Sequence, residues 1–424
     1  MIWTLFVFPL FLLLCGFPVF LVLLSAASVS VLVHFNVSPT VLHQVIFGTL
    51  DSFALLAVPF FIFVGEIMGS GGVSRRLVGW CDALFANIRG GLPITSVAAC
   101  TVFGAISGSS PATVAAIGRI TYQPMRDAGY TPQFATGVLT SSGVIANIIP
   151  PSVAMILYGA SAQESVVKLF TAGILPGLLF AASFIGYIYW RAVKENMASA
   201  HAFSWRRLWT ETRKGVFALG MPAIILGGIY TGVFSPTEAA GVACVYAIIV
   251  TMFIYREVDL KGLFTIAGDS AFRTAQIMVI VACSGVFSWL LTTSGTAPAL
   301  VSWFEDLNMS PLVALLAINV FLLLVGAVLD TASSILLLTP LLVPIIKALG
   351  IDPVHFGIIM TVNLSIGMFT PPFGLNIFVA QAIFGENLRV IYRGIAPYIA
   401  ISILVLLTIT YVPGLSLWLT RIGG

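Results

Sequence analysis

Two proline-broken apolar stretches offer backbone groups that a regular helix would keep occupied. They are Ser141-Ser-Gly-Val-Ile-Ala-Asn-Ile-Ile-Pro-Pro-Ser152 and Asn363-Leu-Ser-Ile-Gly-Met-Phe-Thr-Pro-Pro-Phe-Gly-Leu-Asn376. Proline donates no N–H, so carbonyls one turn upstream lose their helical partners. In a bilayer such carbonyls are tolerated only where protein, an ion or a water-filled cavity satisfies them. Two further breaks, Ser107-Gly-Ser-Ser-Pro-Ala-Thr113 and Asp330-Thr-Ala-Ser-Ser334, add small hydroxyls and one acid. These residue types suit two tasks. Free carbonyls and hydroxyls ligate a hard cation such as sodium, and exposed helix N-termini attract a carboxylate.

For the cation, the expected ligands in one half are the carbonyls of Ala146, Ile149 and Pro150, facing Ser107. In the other half they are those of Gly367, Thr370 and Pro371, facing Gly326 and Asp330. For an organic ligand, the first half offers Ser107, Ser109, Ser110, Thr113 and Asn147. The second offers Asp330, Thr331, Ser333, Ser334, Asn363, Thr370 and Asn376. Asp330 is the only acid placed deep in an apolar segment, and a membrane acid marks a functional site by default. It also suits a helix N-cap, and the two roles are compatible. A plainer reading exists: the prolines only kink helices, and the serines bond back to backbone.

The elements around these breaks follow from composition. Hydrophobic residues make up 59% of the 424 and charged residues 8%, which excludes a soluble globular chain. The apolar runs are about 20 residues long, the length of a membrane-spanning helix rather than a barrel strand. The fold class is therefore an all-α polytopic membrane protein. No basic cluster interleaves with aromatics, so no nucleic-acid partner is expected. The five cysteines are scattered without metal-ligand spacing and read as small packing residues.

In chain order, residues 1–45 form one or two retained N-terminal spans, interrupted at Pro9, Gly16 and Pro18 and lacking a cleavable-signal pattern. A first unit covers 46–190: a span at 46–68, a hairpin at 93–117 between basic loops, a broken helix at 133–160 and a span at 169–190. Residues 191–214 are basic with Phe203, Trp205 and Trp209, which suggests an interfacial helix. Two scaffold spans follow within 215–255, at 215–234 and 239–255. A second unit covers 256–424: a span at 270–293, a hairpin at 311–347, a broken helix at 355–382 and a last span at 395–418. Glu66 and Glu238 read as interfacial, and His34, His43, His201 and His355 as loop or interface residues. No arginine is expected at the centre to meet a ligand carboxylate.

The two units align. Gly129-x-x-Pro132 matches Gly350-x-x-Pro353, Pro150-Pro151 matches Pro371-Pro372, and Gly173-Ile-Leu-Pro176 matches Gly394-Ile-Ala-Pro397, all 221 positions apart (371 − 150, for example). Looser partners are Ser70-Gly71 with Ser294-Gly295 and Trp80 with Trp303. Locally, the hairpin at 93–117 could equally be one kinked span. Five expected crossings lie between the hairpins, so they open on opposite faces. Charge agrees: with the loops around the first hairpin in the cytoplasm, 16 of the 19 Lys and Arg lie inside, the exceptions being Lys168, Lys347 and Arg421. The reading is an inverted-topology repeat with two re-entrant hairpins.

Four stretches in this order carry a resemblance: Gly104-Ala-Ile-Ser-Gly-Ser-Ser-Pro-Ala-Thr-Val-Ala-Ala-Ile-Gly118, Ile149-Pro-Pro-Ser152, Asp330-Thr-Ala-Ser-Ser-Ile-Leu-Leu-Leu-Thr-Pro340, and Asn363 to Asn376. Nearly the whole chain resembles the large membrane subunit, DctM type, of the tripartite ATP-independent periplasmic (TRAP) transporters. The resemblance implies an elevator-type, ion-coupled carrier in the bacterial inner membrane that takes up an organic acid with sodium (Na+). It implies two symmetric sodium sites, a soluble periplasmic binding protein that delivers the substrate, and a small four-helix membrane subunit encoded separately. The first tip reads Ser-Pro-Ala-Thr113, where some acid-transporting relatives carry Asp at the Thr113 position. A stand-alone sodium–carboxylate symporter is the alternative. No HExxH, GxSxG or paired membrane aspartates point to an enzyme, and a channel accounts less well for the inverted repeat.

Overall fold

The structure is a computed structural model and describes residues 3–35, 38, 40–70, 72–85, 87–197, 202–306 and 309–422. Gly71 and His201 lie outside the described residues. Every regular element among the described residues is a helix. The helix starts are written locally. Thr131, Ser235, Ser310 and Asp352 each stand before a proline and accept a backbone N–H in the first turn with their side chains. An oxygen-bearing cap followed by proline satisfies free donors and pre-sets the helical φ.

Six helices among the described residues are long and apolar enough to cross a membrane, and a pair bent by 40°, Pro132–Ile148 with Val153–Ala162, would make a seventh. The N-terminal helices Trp3–Leu14 and Val19–His34 pack around Leu23, Ala27, Val286, Phe287 and Leu290, against the C-terminal half of Leu260–Thr293. That helix also packs on Ala57–Ser70, which in turn packs on Pro236–Ile248. These elements form the scaffold side of the molecule.

The other side is built from breaks. Gly91–Ser107 and Ser110–Asp127 make the first hairpin, turning at Gly108 with φ 56°. Pro311–Gly326 and Thr331–Ala348 stand where the second is expected, joined at residues 327–330. The first broken helix is Pro132–Ser142, Ile145–Ile148 and Val153–Ala162; the second is Pro353–Gly367 and Leu375–Phe384. Residues 221 positions apart hold the same places. Pro150-Pro151 and Pro371-Pro372 are both cis, and Gly129 and Gly350 both have left-handed φ, 86° and 69°. Ser109 and Asp330 both precede the second helix of their hairpins.

Several boundaries differ from expectation, each for a local reason. The basic stretch 191–214 is no separate interfacial helix. Its start finishes Val166–Lys194, and its end opens Trp205–Tyr230, a continuous helix capped by Ser204 and tied by the Arg207–Asp82 ion pair to Val73–Phe85. That last helix occupies what reads as a basic loop, and Thr296–Asp306 occupies what reads as an acidic loop without Lys or Arg in the second unit. The span expected at 270–293 is the C-terminal part of the 34-residue helix Leu260–Thr293, because Asp259 caps it and no breaker follows. The last span ends at Tyr411; after Pro413, Gly414–Ile422 folds back so that Ser416 Oγ reaches His355 Nδ1 at 2.8 Å.

Where the two units cross, glycine sets the spacing. A Cβ on Gly394 would lie 2.0 Å from the Gln133 carbonyl oxygen, and one on Gly137 would lie 2.2 Å from the Gly394 carbonyl oxygen. Neither neighbour is a side-chain tip that can swing away. Gly394→Ala is therefore expected to destabilise by roughly 1–3 kcal/mol, the usual cost of overpacking. The check is the melting temperature of the detergent-solubilised protein, expected to fall by several degrees. An unchanged transition would mean that the crossing can relax.

Candidate binding cavity

Both hairpin tips and both helix breaks converge on a cavity of about 370 Å³. This volume suits a small-molecule site, for which about 300–1,000 Å³ is usual. The first unit lines it with Ser107, Gly108, Ser109, Pro111, Ala112, Asn147, Val153 and Ala154; the second contributes Asp330, Thr331, Ala332, Met368 and Leu375. The opposite wall is scaffold: Ile62, Gly65 and Glu66 from one helix, Arg273, Gln276 and Ile277 from another.

Hydrogen bonds fix the first tip. The Ser107 and Thr113 hydroxyls pair at 3.0 Å, and Thr113 also donates to the Ser109 carbonyl at 2.9 Å. The Ser110 N–H donates to Asn147 Oδ1 at 3.0 Å. Two of the contacts that join the units lie beside the cavity. Asn376 Nδ2 donates to Ser110 Oγ at 2.7 Å, and Asn147 Nδ2 meets the sulfur of Met368, its own repeat partner, at 3.2 Å. Thus Ser110, Thr113 and Asn376 lie behind the cavity lining and hold it in shape.

The second tip is more open. Asp330 is exposed toward the cavity and caps Thr331–Ala348, accepting the Ser333 N–H at 3.0 Å and the Ser333 hydroxyl at 2.5 Å. Ser333 is buried behind it. The Thr331 and Ser334 hydroxyls are buried and have no partner among the described residues. Buried polar groups without partners are uncommon, so both are available acceptors or donors.

The cation-directed carbonyls divide by half. Those of Ala146, Ile149 and Pro150 receive no backbone N–H among the described residues, whereas the Gly367 carbonyl accepts from Thr370 at 3.0 Å and the Thr370 carbonyl from Gly374 at 3.2 Å. A carbonyl keeps a second lone pair, so the second set remains able to ligate. The Gly326 and Pro371 carbonyls receive no backbone donor among the described residues. Gly326 lies against Gly367 so closely that a Cβ on Gly367 would sit 2.5 Å from the Gly326 oxygen.

Asn363 is not brought to the cavity. It donates to Asn319 Oδ1 at 2.7 Å, and Asn319 donates to Thr410 Oγ1 at 3.0 Å, inside the second unit. His355 belongs to the same buried region: it is 2% exposed and reaches both Ser416 and the Thr410 carbonyl, so it is neither a loop nor an interface residue.

Arg273 and Glu66 line the cavity and pair at 2.8 Å, although the sequence gives neither a central place. The span expected at 270–293 places Arg273 in its first turn, where a charge carries no functional signal. In the helix that starts at Leu260 it lies more than three turns in. One further signal was the spacing of Arg273 and Gln276, which puts two polar groups on one face of an apolar helix.

A helical chain with membrane-length spans and two sets of breaks closing on one cavity is a multi-pass membrane protein of the transporter class. Residues 6–415 match the family described as Tripartite ATP-independent periplasmic transporter, DctM component, and the chain belongs to that family. It is 42% identical to the C4-dicarboxylate TRAP transporter large permease protein DctM of Pseudomonas aeruginosa over 88% of this chain and 87% of that protein. With the ectoine/5-hydroxyectoine TRAP transporter large permease protein UehC of Ruegeria pomeroyi it shares 36% identity, covering 98% of each. It is 37% identical to the isethionate TRAP transporter permease protein DctMQ of Oleidesulfovibrio alaskensis, covering 97% of this chain and 65% of that longer one. Among solved structures, the YdaH transporter of Alcanivorax borkumensis shares the fold at a TM-score of 0.64 with 16% identity, over 98% of both chains.

Proposed function

We propose that this chain is the translocating subunit of a sodium-driven uptake system for a small organic acid in a bacterial inner membrane. A periplasmic binding protein delivers the acid, and a small membrane subunit stands beside this one. The observation that carries the reading is the cavity whose two walls have different origins. One wall is made of hairpin tips and helix breaks, the other of long scaffold helices. Such a division suits alternating access by an elevator, in which the broken elements move as a body past the scaffold. The matched positions of the breaks and the distribution of Lys and Arg support an inverted repeat, with the cavity's Glu66 side toward the cytoplasm.

In this reading one sodium ion takes the Ala146, Ile149 and Pro150 carbonyls with Ser107. A second takes Gly326, Asp330, Gly367 and Thr370. The acid then meets Ser109, Asn147, Thr331 and the helix N-termini between them. The cavity wall carries two acids, Glu66 and Asp330, against one base, Arg273, among the described residues. An anion therefore enters a site of unfavourable sign until cations have bound, which couples the two. C4-dicarboxylate, ectoine and isethionate, named for relatives, mark the range of substrates to try.

The test is uptake by proteoliposomes that contain this chain and its small subunit. Radiolabelled succinate, ectoine and isethionate are supplied with and without an inward sodium gradient and a binding protein. Uptake is expected to need both. Sodium-driven uptake of free acid alone would replace the reading with a stand-alone symporter, and no uptake of any of the three would remove the organic-acid reading.

A further inference from the structure

Glu66 and Arg273 come from two different scaffold helices and pair on the cavity wall, with 26% and 55% of their side-chain surfaces exposed. An ion pair this open contributes little to stability. Folding thus gives little reason for two charges here. Arginine presents five N–H donors in a planar fork that matches a carboxylate or sulfonate. The contact with a single Glu66 oxygen leaves part of that fork available. Gln276 lies one turn further along the same wall.

The hairpin side of the cavity offers a ligand only neutral donors and the negative Asp330. Arg273 is the one cationic side chain lining the cavity among the described residues. We infer that Arg273 is an anion-binding residue of the fixed wall, occupied by Glu66 when the cavity is empty and by the substrate's carboxylate or sulfonate when it is loaded. This rests on the transport reading above. Glu66 and the substrate compete for one guanidinium, so each displaces the other.

The placement has a directional consequence. Sodium and hydroxyl ligands travel with the hairpins, whereas Arg273 stays on the scaffold. Its contact with the substrate therefore exists only while the tips face it. A ligand shifts a conformational equilibrium only by its differential affinity for the two states. Arg273 supplies such a difference, favouring the loaded state open toward the Glu66 side. It sets the internal acid concentration at which net uptake slows.

The experiment measures exchange in proteoliposomes holding the complete transporter, using whichever of succinate, ectoine and isethionate the unmodified complex exchanges fastest. The internal and external concentrations for half-maximal exchange are determined separately, together with the sodium dependence. Arg273→Gln is expected to raise the internal half-saturation about tenfold, the effect of losing about 1.4 kcal/mol of binding. External half-saturation and sodium dependence are expected to stay within twofold (roughly 0.4 kcal/mol). Glu66→Gln is expected to act in the opposite direction, lowering the internal half-saturation by freeing the guanidinium. A structural salt bridge would make both variants shift the same way, and that result, or no shift in either, overturns the inference. If the unmodified complex exchanges none of the three acids, the transport reading falls and takes this inference with it.

Discussion

Asp330→Ala is expected to reduce sodium-driven uptake by more than tenfold, a loss of at least about 1.4 kcal/mol in the loaded state. The carboxylate has one task the structure shows, the helix cap, and one that belongs to the proposed function. Its oxygens hold the first turn of Thr331–Ala348 through the Ser333 N–H and hydroxyl, and its exposed face turns to the cavity. Removing an N-cap by alanine costs about 0.5–2 kcal/mol. Asparagine caps nearly as well but carries no charge. Asp330→Asn is therefore expected to keep the thermal stability of the parent and still lose uptake, with the sodium concentration for half-maximal uptake raised. If asparagine restored uptake while alanine did not, Asp330 would be a cap alone and the second cation site would have to be built without it.

Much of this arrangement was legible because prolines and glycines report backbone, not side-chain, events. The 221-residue offset survives as matching cis bonds at Pro150-Pro151 and Pro371-Pro372 and matching turns at Gly129 and Gly350, since such geometry tolerates few other residue types. Asp330 was legible for the same reason: an acid followed by hydroxyls at a helix start is a local signal. Tertiary pairing left no such trace. Nothing in the spacing of Asn363 tells that Asn319 and Thr410, rather than the cavity, receive its neighbourhood's hydrogen bonds. His355 sits at the third position of a capped helix and meets Ser416 only because Gly414–Ile422 folds back over it. Arg273 was hidden by a boundary error of ten residues (270 against 260), which moved it from the interior of a helix to its edge. The charges nearest the cavity were thus the least legible part, because their meaning depends on how far a helix extends into its polar flank.

The contact between the two walls gives the second large expectation. A Cβ on Gly65 would lie 3.1 Å from both the Cα and the carbonyl oxygen of Ser107, so the scaffold touches the first hairpin tip backbone to backbone. Gly65→Leu cannot be absorbed by rotating a neighbouring side chain; the tip must withdraw. In a rigid body the cost of about 1–3 kcal/mol would be read as lost stability. If the hairpins slide as a unit, the tip escapes by leaving this state, and the same energy becomes a population shift of about tenfold or more. Uptake is then expected to fall by that factor while the melting temperature stays close to the parent's. A cysteine at Ala112, on the cavity wall, reports where the site has gone. With the exposed Cys15 replaced by serine, the remaining native cysteines are all buried, so labelling by a membrane-impermeant maleimide reads the new position alone. In the parent, labelling is expected from the cytoplasmic face; in Gly65→Leu it is expected to move to the periplasmic face. A leucine variant that melts early and keeps the parent's labelling would mean that Gly65 belongs to a static interface, and the sliding boundary would have to be sought elsewhere on the scaffold.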